Sequence, residues 1–508
     1  MDIAKKFEQL KKGNYPEFYN FIHDMPKGGL LHVHLAGAIP INAILKRENK
    51  FHVKMTGNKI DLPLNYPLTP LSRKKLQIKK THHVPKVSDL KYSLMSSQEW
   101  NNRKTNQPTE RKKLFKNYRQ IQNLTYKEIL ELKEALIFRA HGPSQENVVL
   151  FPDYRPNPYA LPNEFYKKFE RLKGLTRSSN LYRSLLLDFL EETWADNIDY
   201  IELMVNPFEK VQPNLNSINC IFGRGTRAAE ELPKYIGNEQ EFECHAAVFL
   251  LKRYIDDVNR FNAKLKNGII NRKRGSWQLP KKLEVRFLIG LDRAEIDREA
   301  KLDWAFTVVN RFMYKETEKR YRNKVLGINL IGNEFGSIGR PFDYFNWLMP
   351  LKDEFPKVHV AVHAGESAVA DGHVLDSILL GAERIGHGLS LHHCERAKQI
   401  LKEREICIEA CVISNKLLGY VPDIEKHPAK QWIKDGFRVC LNTDDPGIFD
   451  THMTDEFYYA ALSFDLSLDT IKHLAMESIR SSFLSDFEKD QRLKEFNTKF
   501  TYFCNNLC

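Results

Sequence analysis

Short apolar runs alternate with helix-length amphipathic stretches from residue 179 onward, and this alternation limits the fold more than any other feature of the chain. The runs fall at 200–205, 283–291, 325–331, 359–363, 384–387, 406–410 and 438–442, and an earlier one lies at about 28–34. Between them the apolar spacing predicts helices at 181–197, 241–265, 297–318, 341–353, 369–380, 393–403 and 428–435, with more helix from 454 to the end. Strands that alternate with helices pair in parallel, and eight such units predict an α/β fold, a (β/α)8 TIM-type barrel with long inserted segments.

The barrel core is expected to draw on 27–50 and 181–490. Residues 1–26 read as a helical lead-in ending at Pro26, and 491–508 as a C-terminal tail. Residues 51–180 read as an inserted segment with its own helices, one of them over 126–141, and 206–282 as a further insertion within the barrel. The net charge of +12 is concentrated in the first insertion: residues 71–120 hold 14 Lys and Arg against Asp89, Glu99 and Glu110, so 14 − 3 = +11. Such a run is either a solvated surface or a patch for phosphate, polyanion or nucleic acid. No apolar run is long enough to span a membrane, and the first residues lack the apolar stretch of a signal peptide. Eight cysteines with no C-x-x-C pair point to a reducing compartment and hence the cytoplasm; a signal removed upstream, or non-standard export, would mean a secreted protein.

In such a barrel, polar residues at the C-terminal ends of the strands form the site. Here these are His32, His34, Glu202, Arg293, Gly332, His363, His387 and Asp444. His32 and His34 alternate on one strand, so they face the same side. A His-x-His pair is either two hydrogen-bonded core histidines or half of a metal site. His363, in HVAVHAGES, adds a third nitrogen with Glu366 close by. Asp444, in CLNTDDPGIF, adds a carboxylate. Three His and one Asp suit one Zn2+ with an open position for water. Adjacent aspartates before a proline are otherwise a turn or helix-entry signal. His387, in RIGHGLSL, is either a core or surface histidine, or a group that orients a metal-activated water and assists its deprotonation.

The ordered set HVH, HAGE, RIGHG and LNTDDP resembles the adenosine deaminase family of metal-dependent amidohydrolases, over about 27–40, 180–205 and 283–480. The lead-in DMPKGGLLHVH resembles the adenosine deaminase-related growth factors, a branch that is usually secreted. The resemblance implies that His32, His34, His363 and Asp444 bind zinc and that His387 positions the attacking hydroxide. It implies that Glu366 protonates a purine ring nitrogen, that Asp445 bonds another, and that Gly332 offers its backbone amide. It also implies hydrolytic deamination of a purine nucleoside, adenosine to inosine and ammonia. Adenine nucleotides, adenine and N6-substituted purines are alternative substrates, and a binding or signalling protein on the same scaffold is the alternative of another class. A homodimer through the insertions is expected by analogy alone.

The chain departs from the family at three points. Ala36 stands where the family has a ribose-contacting Asp, for which Glu202 is one substitute. Asn329 replaces a fourth-strand Asp, and Gly332-Asn333-Glu334 replaces GDE. INLIGNE carries no lysine to bridge two metals, which favours one ion.

Overall fold

Eight strands form one parallel sheet in chain order: β1 (Gly29–His34), β2 (Tyr200–Val205), β3 (Glu284–Asp292), β4 (Val325–Ile331), β5 (His359–Ala364), β6 (Arg384–His387), β7 (Cys407–Ala410) and β8 (Val439–Leu441). Each lies within one residue of the run expected from the sequence. They are seen in a computed structural model that describes residues 3–45, 51–56, 59–60, 94–96, 118–120 and 179–507. Short breaks fall at 209, 271–279, 294–296, 333, 335–339 and 367–371, and isolated positions are described between 123 and 165.

The strands are apolar because both faces are covered, as parallel strands require. The sheet closes on itself between β8 and β1. The Asp444 N–H donates to the His32 carbonyl at 3.1 Å and the His34 N–H to the Asp444 carbonyl at 3.0 Å. Below that bridge the side chain of Asn442 continues the seam, its Oδ1 accepting from the N–H groups of Leu31 and His32 at 2.8 and 2.9 Å.

Helices wrap the outside. Ser179–Ala195 precedes β2, and Glu239–Lys266 joins β2 to β3. The second starts at Asn238, whose side chain accepts from the Glu241 N–H, carries Glu239 and Glu241 in its first turn, and ends with Lys264 and Lys266. These charges match the helix dipole at both ends. Its inner face buries Phe242, Leu251, Val258 and Phe261 against the barrel, at about 1.5–3 kcal/mol for each side chain fully removed from water.

Three expectations change. Much of 206–282 is the barrel's own connecting helix rather than an insertion, because this helix covers the β2–β3 face. The helix expected over 297–318 stops at Asn310 and relaxes into a π turn, Arg311–Lys315. The boundary at 490/491 falls inside one helix, Asp486–Leu507. That helix buries Phe496, Phe500 and Phe503, and it ties to the N-terminal ends of β2 and β3 through Arg492 and Lys499 on Asp199 and Glu488 on Arg286. It therefore packs across the N-terminal end of the barrel, opposite the candidate site. The lead-in packs too, through helices Ile3–Gly13 and Tyr15–Asp24, with Phe7, Phe18 and Phe21 buried.

Within the first insertion, Phe51–Thr56 pairs antiparallel with Lys59–Ile60, Leu94–Ser96 and Tyr118–Gln120, a small sheet where the sequence suggested only helices. Of the helix expected over 126–141, positions 128, 132 and 136 are described as helical, with Leu132 and Leu136 buried. The rest of that helix and most of 71–120 lie outside the described residues. Among the described residues, no helix is long and apolar enough to cross a membrane.

Candidate metal centre

The C-terminal end of β1 brings His32 and His34 to the barrel mouth. There they meet His363 from the end of β5 and Asp444 from the residues after β8. One ligand atom from each of the four lies within 4.8 Å of every other. His34 Nε2 is 3.1 Å from His363 Nε2, and Asp444 Oδ1 is 3.3 Å from both His32 Nε2 and His34 Nε2. The sequence-derived ligand set is thus brought together in full.

The rings are aimed by groups behind them. His32 Nδ1 donates to Glu409 Oε2 at 2.8 Å, and His363 Nδ1 donates to Asn329 Oδ1 at 2.9 Å. Each bond leaves an Nε2 lone pair pointing into the cluster, the arrangement that metal-binding histidines need. His32 Nε2 is buried and without a hydrogen-bond partner. Burial opposes the His32 cation, yet the carboxylates of Asp444 and Glu409 outweigh it and push the ring up to about 10. The cluster calls for a positive charge, and a divalent cation at its centre would supply it. The donor set fits zinc.

Glu366 and His387 border the cluster, His387 Nε2 lying 3.8 Å from Glu366 Oε1. Burial, then the carboxylates of Asp444 and Glu334, hold Glu366 well above the usual carboxylate range. Glu334 Oε2 accepts the Glu366 backbone N–H at 3.0 Å, which fixes the turn carrying the acid. His387 is fully buried with φ +65°, and burial is the main cause that takes it down to about 3. A Cβ on Gly386 would lie 2.9 Å from His32 Cε1, so β6 needs a glycine where it passes that ring.

Asp445 begins the short helix Pro446–Phe449, as the turn reading expected, but its side chain makes no cap hydrogen bond. Burial and Asp444 push its carboxyl well above the usual range, and Oδ1 has no partner. Gly37 makes room for it: a Cβ there would sit 1.7 Å from Asp445 Oδ1. The Gly37 carbonyl also accepts from the N–H groups of Gly447 and Ile448 at 2.8 and 3.1 Å, which ties the β1 loop to the β8 loop. Gly37→Ala should therefore displace Asp445 while sparing the metal ligands. We expect a loss of about 10²-fold in kcat/KM, the scale of a 1 Å misplacement, at unchanged zinc content; an unaltered kcat/KM would remove Asp445 from the site.

Two other strand-end residues differ from expectation. Glu202 lies in mid-strand, fully buried, and binds the Tyr200 hydroxyl at 2.7 Å, the Phe483 N–H at 2.6 Å and Arg384 Nη2 at 2.6 Å. It is part of the floor beneath the cluster, so it is no substitute for a sugar-contacting acid. Arg293 is buried beside β4 and β5, donating to the carbonyls of Leu330 and His363. Gly332 follows β4 with φ +98°, where a Cβ would strike Asp292 Oδ1 at 2.2 Å. Sequence reading missed Glu409 and Arg384, joined at 2.5 Å behind His32. The available signal was a carboxylate inside the apolar run 406–410.

Residues 300–499 match the family model described as adenosine deaminase. An adenosine deaminase from Enterococcus faecalis is 35% identical over 165 residues, which cover 32% of this chain and 48% of that protein. Adenosine deaminase 2-A from Danio rerio is 23% identical over 372 residues, 70% of this chain and 64% of that protein. The chain thus spans about half the length of the first relative and under two thirds of the second. The apo structure of the N6-methyl-AMP deaminase from Arabidopsis thaliana superposes with a TM-score of 0.54 at 17% identity, covering 94% of this chain and 98% of that one. At that identity the likeness speaks for the fold.

Proposed function

We propose, from the match of residues 300–499 to the adenosine deaminase family model, that the chain deaminates a 6-aminopurine nucleoside by hydrolysis, converting adenosine to inosine and ammonia. The observation that carries this reading is the ring of four ligands in which His32 Nε2 has no hydrogen-bond partner, set beside a carboxyl group, Glu366, pushed well above the usual carboxylate range. His32, His34, His363 and Asp444 would hold one zinc ion, which when bound lowers the pKa of a water toward neutrality. Glu366 donates its proton to the ring nitrogen next to the attacked carbon, so that charge does not build up on the ring as the carbon becomes tetrahedral. His387 faces the attacking oxygen. Asp445 hydrogen-bonds a second ring nitrogen and the Gly332 N–H a third position on the purine. The amino group leaves as ammonia. A binding protein on this scaffold would need neither the ligands nor the acid.

A second substrate reading has an observation of its own. The small pocket beside His34 and Ala36 is lined by Asn206, Lys210, Tyr182 and Tyr254. A cation near the position where relatives carry an acid favours a purine nucleoside monophosphate. The basic run at 71–120 is a further candidate for contact with that phosphate, or with a polyanion.

The test measures ammonia release from adenosine, deoxyadenosine, adenosine monophosphate and adenine, with zinc measured on the same protein. Release from adenosine that a chelator abolishes and zinc restores is the expected result. Silence on all four with zinc bound would defeat it. If the monophosphate is preferred, Lys210→Glu should cut its kcat/KM by roughly 10–100-fold, the scale of a charge-assisted hydrogen bond, and leave adenosine turnover near its starting value. Equal losses on both substrates would count against the phosphate reading.

A further inference from the structure

Two buried polar side chains with no part in the chemistry above, Asn415 and His427, line up behind His387. Asn415 sits in the helix Val412–Leu417 that follows β7, and His427 lies just before the helix Ala429–Lys434. His387 and Asn415 are fully buried and His427 is 1% exposed. The Ala429 backbone N–H lies 3.0 Å from His427 Nδ1, His427 Nε2 lies 3.0 Å from Asn415 Oδ1, and Asn415 Nδ2 lies 3.1 Å from His387 Nδ1.

The direction of this chain is set at its far end. A backbone N–H can only donate, so His427 Nδ1 must accept. Neutral His427 then carries its proton on Nε2 and donates to the Asn415 oxygen. Burial favours that neutral form, taking His427 down to about 3. With its oxygen accepting, Asn415 turns its amide hydrogens toward His387 Nδ1. Nδ1 must accept in turn, and the one proton of neutral His387 falls on Nε2, the nitrogen that faces Glu366 and the metal cluster. Flipping the Asn415 amide would set donor against donor at His427 and acceptor against acceptor at the other end whenever His387 keeps the Nε2–H form.

We propose that Asn415 and His427 are positioning residues that lock neutral His387 as its Nε2–H tautomer, so that it presents a donor to the reaction centre. Resting on the deaminase reading, this gives His387 a narrower task than the sequence suggested. A nitrogen that already carries a proton holds the attacking oxygen by donating to it and does not remove its proton. His387 meets this chain with a φ of +65°, uncommon for a residue other than glycine.

The test uses the zinc-loaded protein labelled with 15N-histidine, with the His387 signals assigned by their loss in His387→Asn. Nitrogen shifts and one-bond couplings then report which ring nitrogen of His387 is protonated. We expect the proton on Nε2 in the unaltered protein. Asn415→Asp places an acceptor at both ends of the residue and should move that proton to Nδ1. kcat should then fall by about 10²–10⁴-fold, as when a catalytic histidine is held in the wrong tautomer, with KM and zinc content within a few-fold of the starting values. His427→Leu should lower kcat about tenfold or more. His427→Gln, whose amide can accept from Ala429 and donate to Asn415, should restore most of that loss. A proton on Nδ1 in the unaltered protein overturns the proposal. So does equal damage from His427→Leu and His427→Gln with the His387 tautomer unmoved, which marks these residues as packing alone. An Nε2 proton in a protein that turns over no purine would support the lock and defeat the deaminase reading instead.

Discussion

Glu366→Gln is expected to remove ammonia release by roughly 10²–10⁴-fold while the protein keeps its zinc. The two side chains are the same size, and Glu366 is not one of the four ligands gathered within 4.8 Å. The bond that fixes its turn runs from its backbone N–H to Glu334 and survives the change. What is lost is a proton that can be given away: an amide can donate a hydrogen bond to the purine, but it cannot leave the ring nitrogen protonated. The pH dependence has a defined sign. Because the working form is the protonated acid, turnover by the unaltered protein should fall as pH rises through the raised pKa of Glu366. Ammonia release across pH, with zinc measured on each sample, decides the matter. Full activity in the variant would take the acid's role from Glu366. Lost activity together with lost zinc would show that the residue supports the metal instead.

Much of this site could be read from the chain because its parts sit at the ends of apolar runs. Strands buried on both faces read as unbroken hydrophobic stretches, so a histidine or aspartate closing one stands out, as His363 and Asp444 do. Asp445 carried two readings at once, helix entry and site residue; it stands at the helix entry, but its side chain makes no cap hydrogen bond and lies against Gly37 instead. The groups behind the ligands were hidden. Glu409 and Arg384 lie within strands, where a lone charge suggests a solvent face, and Glu202, the other carboxylate on Arg384, is about 180 residues before it in the chain. Asn415 and His427 belong to a helix and a loop whose own patterns are ordinary; only the fold brings them into line with His387. The antiparallel strands of the first insertion were missed for a different reason. Two of their pairings rest on three-residue strands, too short for an alternating pattern to register.

Arg384→Met should cost about 3–5 kcal/mol of stability and weaken zinc binding by about 10–100-fold. Arg384 is 1% exposed and lies between two fully buried carboxylates, 2.6 Å from Glu202 Oε2 and 2.5 Å from Glu409 Oε1, with Nη1 on the Ser481 carbonyl at 3.1 Å. Methionine fills much of the same volume but leaves both carboxylates without their cation. The stability lost is a large part of the roughly 5–15 kcal/mol that a folded domain has to spare. The effect on the metal passes through Glu409. Burial would raise its pKa, but Arg384 and His32 outweigh burial and take it down to about 2. A carboxylate lowered in the folded state stabilises the protein above its unfolded value of about 4.3, and that contribution is lost as pH falls through about 2. Without Arg384 the loss should set in at higher pH, and a protonated Glu409 would orient His32 less firmly. Urea unfolding of the metal-free protein and zinc competition titration separate the two effects. The double variant Glu202→Met with Arg384→Met should regain much of the stability, since it removes one stranded carboxylate, but not the zinc affinity, since Glu409 still lacks its partner. If the double variant recovers both, Arg384 acts on the metal through packing of the barrel floor rather than through Glu409.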